Sequence, residues 1–127
     1  MRIHSFPEHP ILIVDDEPHA LKSLTITLEF EGINNLLPCQ DESGIMGILE
    51  KEDIEAVLLD MIMPKRNGKA VSGEIRKVSP KIKILFASGY TMDIIETQEL
   101  TDPGVDFIQK PVSPNVLLMK VREILDR

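Results

Sequence analysis

With 127 residues and a formal net charge of −7, the chain is sized for one domain that buries roughly two thirds of its unfolded surface without disulfides or a structural metal. The acidic balance argues against electrostatic capture of DNA, RNA or an anionic lipid surface, so direct nucleic-acid binding is not expected. The single Cys39 cannot close an internal disulfide and no Cys/His spacing resembles a zinc site, which makes a reducing cytoplasm the expected compartment and Cys39 a small apolar residue.

Met1 to Pro10 contains Pro7, Glu8 and Pro10 and lacks an apolar run, so residues 1–9 are expected to be a leader rather than a signal peptide, with one domain over residues 10–127. No later stretch reaches membrane-spanning length. Ile11-Leu12-Ile13-Val14 reads as a strand, β1, and is followed by Asp15-Asp16. A helix, α1, is predicted from about Glu17 to Phe30, with Leu21, Leu24 and Leu28 on one face and a stop at Gly32, which is free to take the left-handed cap conformation. Ile33 to Leu37 is predicted as β2. Asp41 to Glu50 reads as a weaker helix, α2, because Gly44 and Gly47 lower its propensity although Ile45, Ile48 and Leu49 supply an apolar face.

Ala56 to Leu59 is predicted as β3, directly ahead of Asp60. Pro64, Asn67 and Gly68 mark a loop, and Lys69 to Val78 forms α3 before the break at Ser79-Pro80. Ile82 to Ala87 makes β4 and delivers Ser88. Thr91 to Gln98 is predicted as a short α4, and the turn Asp102-Pro103-Gly104 leads into β5, Val105 to Ile108, followed by Gln109 and Lys110. Ser113 suits the cap of α5, which opens at Pro114 and carries Leu117, Val121, Ile124 and Leu125 on one face.

Continuous apolar runs at β1, β3 and β4 fit a parallel sheet covered by helices on both faces, joined by right-handed crossovers. The expected fold class is therefore α/β: a flavodoxin-like (βα)5 three-layer sandwich. In such sheets ligands bind beyond the carboxyl ends of the strands. That rule brings Asp15, Asp16, Asp60, Ser88 and Lys110 to one edge. Like charges about 4 Å apart repel by roughly 4 kcal/mol at an effective dielectric near 20, so three carboxylates together call for a cation. Mg²⁺, or Mn²⁺, combined with a phosphoryl group matches these ligands, and phosphoryl transfer needs chiefly positioning and charge stabilisation. Asp60 is the candidate nucleophile, Lys110 the group that neutralises a phosphoryl oxygen, and Ser88 a hydrogen-bond donor to another.

Each residue also has a plainer reading. Asp16 could cap α1, Asp60 and Ser88-Gly89 could serve turns, and Lys110 could be a solvated lysine. Taken singly these readings compete well; required together, after successive core strands, they demand several coincidences. His4, His9 and His19 show no coherent spacing and are expected to be structural or solvated. Met61 and Met63 read as packing residues, with Pro64 stiffening the loop.

Val14-Asp15-Asp16-Glu17-Pro18, Leu58-Leu59-Asp60-Met61-Ile62-Met63-Pro64 with Asn67-Gly68, Ala87-Ser88-Gly89-Tyr90 and Phe107-Ile108-Gln109-Lys110-Pro111 occur in this order. In this the chain, from about Pro10 to Asp126, resembles the receiver domains of two-component response regulators, the CheY-like superfamily. The resemblance implies strand order 2-1-3-4-5 and phosphorylation of Asp60 by a histidine kinase or a histidine phosphotransfer protein. It further implies a signalling switch rather than an enzyme, with Mg²⁺ held by Asp16, Asp60, the backbone carbonyl of Ile62 and waters oriented partly by Asp15. It identifies Phe107 as an aromatic switch moving with Ser88, where the plainer reading is a core Phe. Partners would read the α4-β5-α5 face, in an output domain or a receiver dimer, with Met92, Ile94 and Ile95 as candidate contacts beside the plainer reading of an apolar α4 face as core.

Two positions depart from the chemotaxis regulators. Ile62 and Tyr90 stand where amide or acid side chains can orient an attacking water, so a comparatively long-lived aspartyl phosphate is expected. A haloacid dehalogenase-type phosphatase would resemble Asp-x-Asp, and position 62 is Ile. A flavin carrier would need a phosphate loop where Asp15-Asp16-Glu17 would repel the phosphate. The remaining alternative is a pseudo-receiver that binds partners without phosphorylation.

Overall fold

Helices cover both faces of the parallel sheet, which is why the central strands are continuously apolar. The structure, a computed structural model, describes residues 9–61, 68–89 and 104–126. The strands Ile11–Val14, Leu36–Cys39, Ala56–Asp60, Lys83–Ser88 and Val105–Gln109 form one five-stranded sheet in the order β2-β1-β3-β4-β5, with every pairing parallel. The expected flavodoxin-like topology is therefore present. Successive strand residues point to opposite faces. Leu12, Val14, Val57, Leu59, Ile84 and Phe86 meet Ile45 and Leu49 of α2 and Val71 and Ile75 of α3. Ile11, Ile13, Ala56, Leu58, Leu85 and Ala87 meet Leu24 and Leu28 of α1 and Leu117, Val121, Ile124 and Leu125 of α5.

The α1 helix spans Pro18–Phe30 and ends as expected at Gly32, whose φ is 93°. The Gly32 N–H donates to Glu29 O at 3.0 Å and the Ile33 N–H to Leu28 O at 3.0 Å, a Schellman closure in which Ile33 packs back on the helix. This corrects the predicted β2. Ile33 is buried because it closes α1, and the strand begins only at Leu36 and runs through Pro38 to Cys39. Proline is tolerated there because β2 is an edge strand.

The predicted α2 divides into a 3-10 turn, Glu42–Gly44, and a helix, Ile45–Lys51, with the Asp41 side chain accepting from the Ser43 N–H. Helix α3, Gly68–Val78, starts one residue earlier than expected, while α5, Pro114–Leu125, has the expected Ser113 cap accepting from the Val116 N–H at 3.2 Å. The predicted α4 and the Asp102-Pro103 part of its following turn lie outside the described residues. On β5, the Asp106 carboxylate accepts from the Phe107 N–H at 2.8 Å and lies 3.4 Å from Lys120 Nζ on α5.

Gly32 is the position where the chain needs a left-handed residue. Gly32→Ala should destabilise the domain by about 1 kcal/mol, lowering the urea midpoint with an unchanged slope. A midpoint equal to wild type would show that the closure adapts without cost.

Candidate functional site

The site is assembled by residues that end strands or follow them immediately. Asp15 comes directly after β1, is 1 % exposed, and continues the sheet by donating its N–H to Cys39 O at 3.3 Å. Its Oδ1 accepts from the Glu17 N–H at 3.0 Å, which holds the carboxylate at the head of α1. Glu17 is the residue that caps the helix. Its side chain accepts from the backbone N–H groups of Ala20 and His19 at 2.8 and 3.2 Å, and these hold its pKa below the ordinary carboxylate value. The capping reading of Asp16 therefore falls.

Asp60 is the last residue of β3 and is 7 % exposed. One carboxylate oxygen from each of Asp15, Asp16 and Asp60 lies within 4.8 Å of the others. Beyond Asp60 the Met61 N–H donates to Ala87 O at 2.8 Å, and Met61 O accepts from the Gly68 N–H at 2.6 Å. The buried Met61 thus packs as expected, and its carbonyl joins the end of β3 to the start of α3. A Cβ on Gly68 would stand 2.6 Å from Asp60 O and 2.9 Å from Met61 Cα, so no larger residue fits. Sequence reasoning treated Gly68 as a loop marker and missed this contact with the candidate nucleophile's own carbonyl; the only signal was its place after Asn67.

Ser88 ends β4 at 1 % exposure, and its carbonyl accepts from the Lys110 N–H at 2.7 Å. That bond sets Lys110 beside the acids. Lys110 Nζ lies 3.2 Å from Asp60 Oδ1 and 3.3 Å from Asp15 Oδ2. Burial alone would lower its pKa, but the charges of Asp60 and Asp15 and the hydrogen bonds to both outweigh it, so the ammonium is held above its ordinary value. The structure thus brings Asp15, Asp16, Asp60 and Lys110 together, with Ser88 at the adjacent strand end. Among the described residues, three carboxylates face the Lys110 ammonium, and these hard oxygen donors fit a divalent cation such as Mg²⁺.

Phe107 is half-buried and stacks on Phe86 with ring centroids 5.7 Å apart and planes at 14°. Ile62, Tyr90, Met63, Pro64, Met92, Ile94, Ile95 and His4 lie outside the described residues. His9 pairs with the exposed Asp53 at 3.6 Å and His19 sits on the outer face of α1, so neither joins the acids. Cys39 is buried, donates its Sγ–H to Asp41 O at 3.0 Å, and has its pKa raised by burial, which suits the small apolar role expected of it. Among the described residues no helix is long and apolar enough to cross a membrane.

A family model described as the response regulator receiver domain matches residues 11–122. The probable transcriptional regulator ycf27 of Cyanidium caldarium is 35 % identical over 121 residues, covering 94 % of this chain and 47 % of that protein. The chain spans about half the length of the curated relatives it matches. A CheY-like response regulator receiver domain protein from Methanospirillum hungatei JF-1 is 30 % identical with a TM-score of 0.79, over 93 % of this chain and 94 % of that one. The receiver domain of the hybrid histidine kinase CckA is 25 % identical with a TM-score of 0.75, over 91 % and 98 % of the two chains.

Lys110→Met should lower the melting temperature in metal-free buffer, because it removes the ammonium that lies between the Asp15 and Asp60 carboxylates. Added Mg²⁺ should narrow the deficit by restoring positive charge; equal stabilisation of both proteins by Mg²⁺ would refute this account. The raised pKa also carries a sign. In the wild type, the stability from this ion pair is fully present below the unfolded pKa of about 10.4 and lost only as pH rises through the higher folded value. The metal-free difference between the two proteins should therefore be flat across neutral pH and shrink only in strong alkali.

Proposed function

The chain belongs to the response regulator receiver domains, and from that membership we propose that it is a phosphoacceptor switch whose Asp60 takes a phosphoryl group from the phosphohistidine of a histidine kinase or phosphotransfer protein. The observation that carries the reading is the Lys110 ammonium held 3.2 Å from Asp60 and 3.3 Å from Asp15, with Asp16 in the same acidic cluster. An Asp60 carboxylate oxygen attacks phosphorus, the P–N bond of the donor breaks, and the imidazole leaves with the electron pair and picks up a proton. The product is an aspartyl phosphate.

Lys110 exchanges one carboxylate partner for a phosphoryl oxygen, keeping its charge throughout because the neighbouring acids stabilise the ammonium. The Ser88 hydroxyl donates to another oxygen. Asp16 and Asp60, with the Ile62 carbonyl and waters oriented by Asp15, would hold Mg²⁺ or Mn²⁺, which would supply the charge neutralisation an anionic donor needs beside three acids.

Switching follows from the new acceptors on Asp60, which favour any conformer that brings Ser88 closer while Phe107 turns inward. Residues 10–127 act as the receiver unit after a leader of residues 1–9. An output domain or a second receiver reads the α4-β5-α5 face, in a cytoplasmic setting.

Incubation with Mg²⁺ and acetyl phosphate should add one phosphoryl mass to the intact protein and none to Asp60→Asn. Equal labelling of both would refute Asp60 as acceptor, and no labelling of the wild type would favour a phosphorylation-independent interaction module. Once formed, the acyl phosphate should decay slowly and Ile62→Asn should hasten its loss. Rapid decay unchanged by that substitution would remove the kinetic role of position 62.

A further inference from the structure

Four of the five large hydrophobic side chains that stay exposed among the described residues lie on the α1-α5 side of the sheet. They are Ile26 at 51 % and Phe30 at 86 % on α1, and Val116 at 40 % and Met119 at 50 % on α5. Scattered exposed apolar residues are ordinary, but Ile26 and Phe30 stand about one turn apart on the outer face of α1. On α1 the spacing is that of a helix-pairing seam. His19, Ser23, Ile26 and Phe30 recur at intervals of four, three and four, on the side opposite the buried Leu24 and Leu28. Beside this seam, between α1 and the start of α5, is an open cavity of about 280 Å³ lined by Ser23, Leu24, Thr27, Pro114 and Leu117 together with Asp15 and Lys110.

The charges beside the seam select the occupant. Lys22 lies on its flank one turn before Ile26, and Glu29 and Glu31 follow at the other end of α1. If a second α1 runs antiparallel about a two-fold axis near Ile26 and Thr27, each Lys22 comes within reach of Glu29 and Glu31 of the other copy. The same operation sets each Phe30 opposite Ser23 of the other copy, at the lip of the cavity. Such self-complementarity is the requirement for an isologous dimer.

We propose that this face is a homodimer surface: the outer face of α1 pairs antiparallel with that of a second copy, and each Phe30 seats in the other's α1-α5 cavity. The surface is distinct from the α4-β5-α5 face. Because Asp15 and Lys110 also line the cavity, pairing hinders a protein phosphodonor at the site while leaving it open to a small one. That consequence rests on the phosphoacceptor reading; the dimer itself does not.

Sedimentation velocity of the 127-residue chain over a concentration series, with no phosphodonor present, tests it. Self-association should rise with concentration and weaken about tenfold or more in Phe30→Glu, since each dimer loses two buried rings. It should weaken in Lys22→Glu and return when Lys22→Glu is combined with Glu29→Lys and Glu31→Lys. Under mild oxidant Ile26→Cys, close to the axis, should form a disulfide-linked dimer, while Val78→Cys on α3 should not. A chain that stays monomeric at every concentration, or a dimer untouched by Phe30→Glu and not cross-linked through Ile26→Cys, would overturn the proposal. Because no phosphoryl group is involved, the result stands or falls apart from the labelling of Asp60.

Discussion

The structure turns on mutual repulsion among three carboxylates that the strands bring within 4.8 Å of one another, with the Lys110 ammonium set against two of them. Asp15 and Asp60 are nearly inaccessible to water, so their charges are screened little and the Lys110 ammonium between them matters more than a surface ion pair would. Every other feature of the site serves to hold these groups where they are. The Ser88 carbonyl fixes the backbone of Lys110, the Glu17 N–H fixes Asp15, and the contact of Gly68 with the end of β3 fixes the backbone of Asp60. Among the described residues, three acids about one lysine make a donor set that fits a divalent cation.

Much of this was legible in the amino-acid order because the strands that matter are buried on both faces. Ile11–Val14 and Ala56–Asp60 read as uninterrupted apolar runs ending in acids, and a parallel sheet has one carboxyl edge. The second strand was misread because burial has more than one cause. Ile33 is apolar and fully buried, yet it serves to close α1, and the true strand runs on through Pro38 to Cys39 at the sheet edge. Asp16 and Glu17 were hard to tell apart before Pro18, since either acid can cap a helix; only the hydrogen bonds to His19 and Ala20 decide for Glu17. The role of Gly68 was invisible because the atoms that exclude a side chain there belong to residues 60 and 61.

The two helical layers differ in what they leave outside. Helices α2 and α3 with their side of the sheet enclose Phe86 and carry Phe107 at the margin, where a ring can move without opening the core. Helices α1 and α5 bury Leu24, Leu28, Leu117 and Val121 but keep Phe30 and Met119 in water. One layer therefore holds the Phe86–Phe107 stack at its margin, and the other presents apolar surface to water.

The two margins of the sheet are both closed to further strands. On β2, Pro38 has no N–H to offer, and on β5 the Asp106 carboxylate occupies the Phe107 N–H while Lys120 places a charge alongside. Register with β4 turns that amide away from the sheet, toward the side where an intruding chain would add itself. Loss of the Asp106 carboxylate would therefore do its damage between molecules rather than within one, by uncovering a template for fibrillar growth.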